Sequence, residues 1–338
     1  MSTSCSSRFF PFDRKAVMEK LGHNLLKECL GRMLLIRHFE TRAEAAYQHG
    51  KIGGFFHAYI GQEAIQTAAV QAIGADNWYA TSYRCHALAL LLGASPEELM
   101  AELFGRATGN AKGRGGSMHF FTERLLGGFG IVAGQIPIAT GAAFTLKYKG
   151  IQNEIAVCFL GDGAVPQGAF HESLNLASLW DLPCIYVIEN NQWGMGTAVE
   201  KAVCVSRLAE DKAAGYNMKG YTLDGMDFFA CYAGFAVLVE EVLKTKRPLL
   251  VETVTERFKG HSISDPGVYR SKEALHGAMQ RDPLMIMQQA LLDEGIITEE
   301  EIKALDKTMK DRVLGALEFA EKSPWPDPIT LGEDVFAP

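Results

Sequence analysis

A doubly wound α/β fold, with a mostly parallel sheet, flanking helices and helical N- and C-terminal ends, is predicted by three features of this 338-residue chain. A short apolar run at 155–160, a stretch of helical period at 169–180 and a second apolar run at 184–188 spell a βαβ unit. Its two strands must lie parallel, because the intervening helix carries the chain back to the edge where the first strand began. The alternation then continues, with a helical stretch at 228–243 followed by an apolar run at 249–255.

Taken in order, the elements each have a local cause. Leu26, Leu30, Met33, Leu34, Phe39 and Ala43 recur mostly three or four apart, which predicts an amphipathic helix over 25–47, broken at Gly50, Gly53 and Gly54. Ser95, Pro96 and Glu98 form a capping box with proline in the first turn, and that helix should run to Gly105. Thr298 and Glu301 repeat the box near the C-terminus. Neither an internal repeat nor a low-complexity linker divides the chain, so 1–338 is read as one α/β domain, with 1–23 as an extension free to be flexible.

Composition narrows the function. At 48% apolar residues the chain can bury a full core, which sets disorder aside. The net charge is −7, with basic residues scattered among acids, so no stripe is offered to nucleic acid. The seven cysteines are odd in number and lack CxxC spacing; they are read as reduced thiols. No apolar run approaches the length of a membrane span, and 1–15 holds no apolar segment of signal-peptide length, so a bacterial cytoplasm is expected.

The chemistry is carried by the residues at the carboxyl ends of the two strands of the βαβ unit. Gly161-Asp162-Gly163 comes directly after the first, and Glu189-Asn190-Asn191 follows the second, so both lie at the edge where open α/β sheets bind ligands. A Mg²⁺ ion takes one or two side-chain oxygens and fills the rest of its octahedron with phosphate and water. Asp162 and the Asn191 amide oxygen supply such a pair. The glycines admit a diphosphate close to the backbone, and a helix starting after Gly163 would aim its amides at the same anion. A βα turn calls for Gly and Asp on conformational grounds alone. The joint occurrence with a correctly placed Asn-Asn has a chance of roughly one in a thousand at ordinary residue frequencies.

This GDG-to-NN pattern resembles the signature of thiamine-diphosphate enzymes, and the sequence around it is similar to the alpha subunits of the 2-oxo-acid dehydrogenase family from about residue 24 to 329. The matching segments are Phe56-His57 before Gly61-Gln62-Glu63-Ala64, Tyr83-Arg84 before Cys85-His86, Gly113 through His119, Gly128 through Val132, Gly194-Met195-Gly196-Thr197, and Gly260-His261-Ser262 through Asp265-Pro266-Gly267. The resemblance implies that Asp162 and Asn191 bind Mg²⁺ by side chain and Trp193 by its carbonyl, although tyrosine usually stands at that position. It further implies that Tyr83 and Arg84 contact the diphosphate, that Gly130 and Val132 hold the aminopyrimidine, and that Gly161, Gly163, Ala164 and His261 also belong to the cofactor site. His57 and His261 become the catalytic histidines at the mouth of the site, where an imidazole titrating near neutrality handles protons and orients the substrate carboxylate.

The implied activity is decarboxylation of a 2-oxo acid on thiamine diphosphate and reductive transfer of the acyl fragment to a lipoyl group. The implied partners are a beta subunit, in an α2β2 heterotetramer, and the lipoyl domain of an E2 acyltransferase. Tyr83-Arg84-Cys85-His86, the 261–266 segment and His57 resemble the pyruvate-specific members; branched-chain 2-oxo acids and acetoin are the alternatives within the family. Ser262 matches a serine whose phosphorylation silences the mitochondrial pyruvate enzymes, and the loop 258–270 around it is expected to order when cofactor binds. A nicotinamide dehydrogenase is disfavoured, since Gly128-Phe129-Gly130 and Gly194-Met195-Gly196 lack the third glycine of the fingerprint. A non-catalytic scaffold subunit is opposed by the intact Asp162 and Asn191.

Overall fold

A computed structural model of the chain describes residues 8–335, and its centre is the parallel sheet expected from the sequence. Eight strands occur in chain order: β1 (Trp78–Ser82), β2 (Leu125–Phe129), β3 (Ala156–Gly161), β4 (Cys184–Asn190), β5 (Trp193–Gly194), β6 (Thr197–Ala198), β7 (Lys219–Asp224) and β8 (Leu249–Val254). Six of them form one all-parallel sheet in the order β2-β1-β3-β4-β8-β7, while β5 and β6 make a small antiparallel hairpin.

Both faces of the sheet are covered, and the residues divide between them with the period of two that a strand imposes. Val157 and Phe159 of β3 and Ile185 and Val187 of β4 enter one apolar core, together with the helices Arg14–Gln48, Glu63–Ile73 and Phe228–Thr245. Ala156, Cys158 and Leu160, with Cys184, Tyr186 and Ile188, enter a second core with Gln135–Tyr148 and Gly168–Leu179. Double coverage explains why these strands read as continuous apolar runs, not as alternating ones.

The capping boxes at Ser95/Glu98 and Thr298/Glu301 both form, starting the helices Pro96–Leu103 and Glu299–Lys322. The N-terminal helix begins earlier than its pattern: it runs Arg14–Gln48, capped by Asp13 and kinked at Gly22 (φ 72°), and Val17, Met18 and Leu21 are buried. The stretch 1–23, expected as a free extension, is therefore packed from residue 14 onward; residues 1–7 lie outside the described ones. The six described cysteines are all free, and Cys204 alone among them is exposed.

One correction concerns the turn after β3. The helix does not start behind Gly163: a single 3-10 turn, Asp162–Ala164, comes first, and the helix runs Gly168–Leu179 with Gln167 at its cap. Its first amides are thus displaced by a turn from where the sequence put them.

Buried Glu102 shapes the approach to the site. Its carboxylate accepts the backbone N–H groups of Ala111, Gly113, Gly115 and Gly116 at 2.6–3.1 Å, folding a glycine-rich loop around one anion. The same loop continues into Ser117, held by the buried His86–Glu40 pair, and into Met118 at the cavity wall.

Candidate active site

The carboxyl ends of five neighbouring strands converge on one cavity of about 720 Å³. Behind β1 come Tyr83 and Arg84, behind β2 Gly130 and Val132, behind β3 Asp162 to Ala164, behind β4 Asn191 and Trp193, and behind β8 Arg257 and His261. His57 reaches the same wall from the segment before the helix Glu63–Ile73. All twelve residues singled out from the sequence line this one space. Convergence of this kind follows from the fold, since the carboxyl edge is where successive strand ends splay and leave room.

His57, Tyr83 and His261 form an aromatic corner, with ring centroids 4.4 Å apart for His57–Tyr83, 5.2 Å for His57–His261 and 5.5 Å for Tyr83–His261. Burial, reinforced by the charge of Arg84, pushes His57 down to about 2 and His261 down to about 3. The expectation of imidazoles titrating near neutrality is corrected on this point. Both rings are neutral at physiological pH, suited to donate or accept one hydrogen bond and not to carry charge.

Arg84 has a structural part in the wall of the cavity. It is buried, and its two terminal nitrogens donate to Ala58 O (2.8 Å) and His261 O (2.6 Å). Those bonds tie the His57 segment to the His261 loop, so the guanidinium builds the wall as well as facing the cavity. Burial, with Arg257 next, draws its pKa down to about 10.

Opposite this corner stand the oxygens. Asp162 is buried, and desolvation raises its carboxyl to about 6. The Asn191 side chain is fixed at both ends: Nδ2 donates to Gln62 Oε1 (3.2 Å), while Oδ1 accepts from Trp193 N (3.3 Å). Gln192 and Met195 bracket Trp193 in left-handed conformations (φ 70° and 54°), costly for residues with a side chain and typical of a site that dictates backbone shape. Gly163 and Gly194 meet across the gap, where a Cβ on either would lie 3.3 Å from the other's Cα.

Four buried polar atoms of cavity-lining residues lack any hydrogen-bond partner among the described residues: His57 Nδ1, Gln62 Nε2, Gln135 Oε1 and His261 Nδ1. Such atoms are rare in folded proteins because each one unpaired costs about 1–3 kcal/mol. Their gathering around one cavity is what a polar ligand requires. Among the described residues no cluster of three or more His, Cys, Asp or Glu could hold a metal. The donors that the resemblance implies, one carboxylate, one amide and one carbonyl with the remaining oxygens from a ligand, have the chemistry that suits Mg²⁺.

Sequence reasoning gave no role in the site to Gln62, Gln135, Glu189 or Arg257, all of which line the cavity. Glu189 is buried, accepts hydrogen bonds from Tyr59 and from Gln66 Nε2 (3.1 Å), and is raised to about 7 by burial. A signal for it existed, since it immediately precedes the Asn pair at the end of β4. Arg257 had none, because nothing in a short Arg-Phe-Lys stretch announces full burial.

Ser262 lies at the cavity mouth, its Oγ 3.0 Å from Ser264 Oγ. A charge placed there at about 8 Å from an anionic ligand would repel each unit of that anion by roughly 2 kcal/mol at an effective dielectric of 20. Ser262→Glu should accordingly lower substrate turnover at least tenfold in the assembled enzyme, while Ser262→Ala stays within a few-fold of the parent. Near-parental activity of the glutamate variant, measured in steady state, would count against this loop forming the mouth.

A doubly wound α/β protein with a polar ligand cavity at the carboxyl edge of its sheet is the class that fold and site define. The chain belongs to the dehydrogenase E1 component family, whose model matches residues 31–329. Among its relatives, the pyruvate dehydrogenase E1 component subunit alpha of Rickettsia conorii is 46% identical over 306 residues, covering 90% of this chain and 93% of the relative. The protein of the same name from Rhizobium meliloti is 42% identical, covering 90% and 87%, and that from Porphyra purpurea 38% identical, covering 90% and 91%.

Proposed function

We propose that this chain is the alpha subunit of a pyruvate dehydrogenase E1 component, binding thiamine diphosphate through Mg²⁺ in the cavity at the carboxyl edge. The observation that carries the reading is the convergence of Asp162, Asn191 and Trp193 on one cavity, whose lining residues His57, Gln62, Gln135 and His261 each also hold a buried polar atom without a partner among the described residues. The kinship with enzymes of that name supports the substrate.

Asp162, Asn191 Oδ1 and Trp193 O would hold the cation, and Gly161, Gly163 and Ala164 leave room for a diphosphate beside it. When bound, thiamine diphosphate supplies the electron sink that lets a 2-oxo acid lose CO₂. Gly130 and Val132 offer backbone and an apolar side chain on the opposite wall. His57 and His261, neutral and each with a free Nδ1, orient a substrate carboxylate by hydrogen bonding. Trp193 packs against Tyr269 at a centroid distance of 5.0 Å, closing one side against water.

The rim is apolar and open: Phe55, Ile131 and Met195 are 63%, 79% and 64% exposed. Large exposed apolar side chains beside a ligand cavity mark a surface that another chain covers. That partner is the beta subunit, in an α2β2 assembly, and the acceptor of the acyl group is the lipoyl domain of E2. No helix among the described residues is long and apolar enough to cross a membrane. In the reconstituted complex, turnover of pyruvate should exceed that of a branched-chain 2-oxo acid and of acetoin by at least tenfold. A preference for either competitor would overturn the substrate while leaving the family untouched.

A further inference from the structure

Ahead of the N-terminal helix the chain is also fastened to the sheet. Phe10 N donates to Thr222 O (2.8 Å) on the edge strand β7, and its ring packs edge-on against Tyr221 at a centroid distance of 5.9 Å. Arg8, whose side chain is 44% exposed, thereby reaches Glu252 on neighbouring β8, where Nη2 donates to Oε1 (3.1 Å). Glu252 is wholly buried and stands outside the cavity lining. Its carboxylate collects two further donors, Asn190 Nδ2 on Oε1 (2.8 Å) and Leu208 N on Oε2 (2.8 Å). Arg8 is its one ion-pair partner among the described residues.

Asn190 carries this arrangement to the site. At the other end of its amide, Oδ1 accepts from Gln192 N (3.0 Å), while its backbone O accepts from Thr255 N (2.9 Å) and Gln192 Nε2 (3.4 Å). Gln192 is left-handed (φ 70°), a conformation that a residue with a side chain keeps where its surroundings hold it. It stands between Asn191 and Trp193, so the turn it makes sets how both are presented. With Nδ2 committed to a carboxylate, the Asn190 amide has one orientation, and that orientation offers Oδ1 to Gln192 N. The buried carboxylate in turn calls for a positive partner, since neutral donors do not cancel its charge.

We propose that Arg8 is a remote positioning residue of the cofactor site: through Glu252 and Asn190 it fixes the turn 190–193, so that a side chain at the outer edge of the sheet governs how Asn191 and Trp193 meet the cofactor. The inference deepens the cofactor reading given above and rests on it for the effect on binding. Arg8, Glu252 and Asn190 all lie outside the cavity lining, so they act by holding the turn and not by touching a ligand.

Two readouts on the full chain, assembled with its partner subunit, separate this role from ordinary structural support: hydrogen exchange of the Gln192 amide without cofactor, and affinity for thiamine diphosphate with Mg²⁺. Arg8→Met should speed exchange at Gln192 at least threefold and weaken cofactor binding at least fivefold. Arg8→Lys, which returns the charge, should bring both to within twofold of the parent. Arg14→Met breaks the nearby ion pair with Asp227 without touching Glu252, and should change neither. Parental exchange at Gln192 in Arg8→Met overturns the proposal, as does faster exchange with unchanged affinity. Equal changes in Arg14→Met, or no recovery in Arg8→Lys, overturn it too, since the effect would then be a general loosening or a matter of shape. Arg8 is half-exposed, so its replacement empties no core; if Arg8→Met nonetheless fails to fold, the same outcomes are read on Arg8→Gln. A parent that binds no thiamine diphosphate removes the cofactor reading, while the exchange comparison, made without cofactor, still judges the fastening of the turn.

Discussion

Asp162→Ala is expected to abolish binding of thiamine diphosphate in the presence of Mg²⁺, weakening it by at least 100-fold, or about 3 kcal/mol. Asp162 is the one carboxylate among the three proposed donors, and it sits buried at the end of β3. Without it a buried diphosphate would lose its bridging cation, and nearby Arg84 is already engaged with Ala58 O and His261 O. The substitution should not unfold the protein. A carboxyl whose pKa is raised in the folded state, from 3.8 to about 6 here, opposes folding increasingly as the pH rises between those values and fully above the higher one, because the ionised form is better solvated in the unfolded chain. At pH 7.5 the cofactor-free variant should therefore melt no lower than the parent. Equilibrium dialysis and a melting curve read both effects, and undiminished affinity would dismiss Asp162 as a metal ligand.

Pyruvate turnover by the isolated chain, with an artificial electron acceptor, should be indistinguishable from the blank. The cavity wall contains two carboxylates, Asp162 and Glu189. Glu189 is fully buried and already accepts hydrogen bonds from Tyr59 and Gln66, which leaves it poorly placed to act on a cofactor ring. Under the proposed function, a carboxylate that acts on the cofactor ring would come from the partner chain, on the side of the exposed Phe55, Ile131 and Met195. Addition of the beta subunit should raise turnover by orders of magnitude. Substantial turnover without it would mean that this chain completes its own site.

The core of the fold was legible because β3, β4 and β8 are buried on both faces, and such strands announce themselves as unbroken apolar runs. Trp78–Ser82 and Leu125–Phe129 were not, since five residues containing Thr and Ser, or two glycines, leave no period to read. Lys219–Asp224 is an edge strand with one polar side and escaped for the same reason. The capping boxes were read correctly because their signal is entirely local. In the site, residues attached to strand ends were found through their motifs. What sequence could not supply was environment: the deep burial that keeps His57 and His261 neutral, and the packing that encloses Arg257, arise from segments far apart in the chain.

The central claim is that the cavity at the carboxyl edge holds thiamine diphosphate through a divalent cation. A calorimetric titration of the assembled protein with thiamine diphosphate, run with Mg²⁺ and again with a chelator, tests it most directly. Saturable binding at one cofactor per chain with Mg²⁺, lost in the chelator, is the predicted result; absence of binding under both conditions, or equal binding in both, would contradict the account.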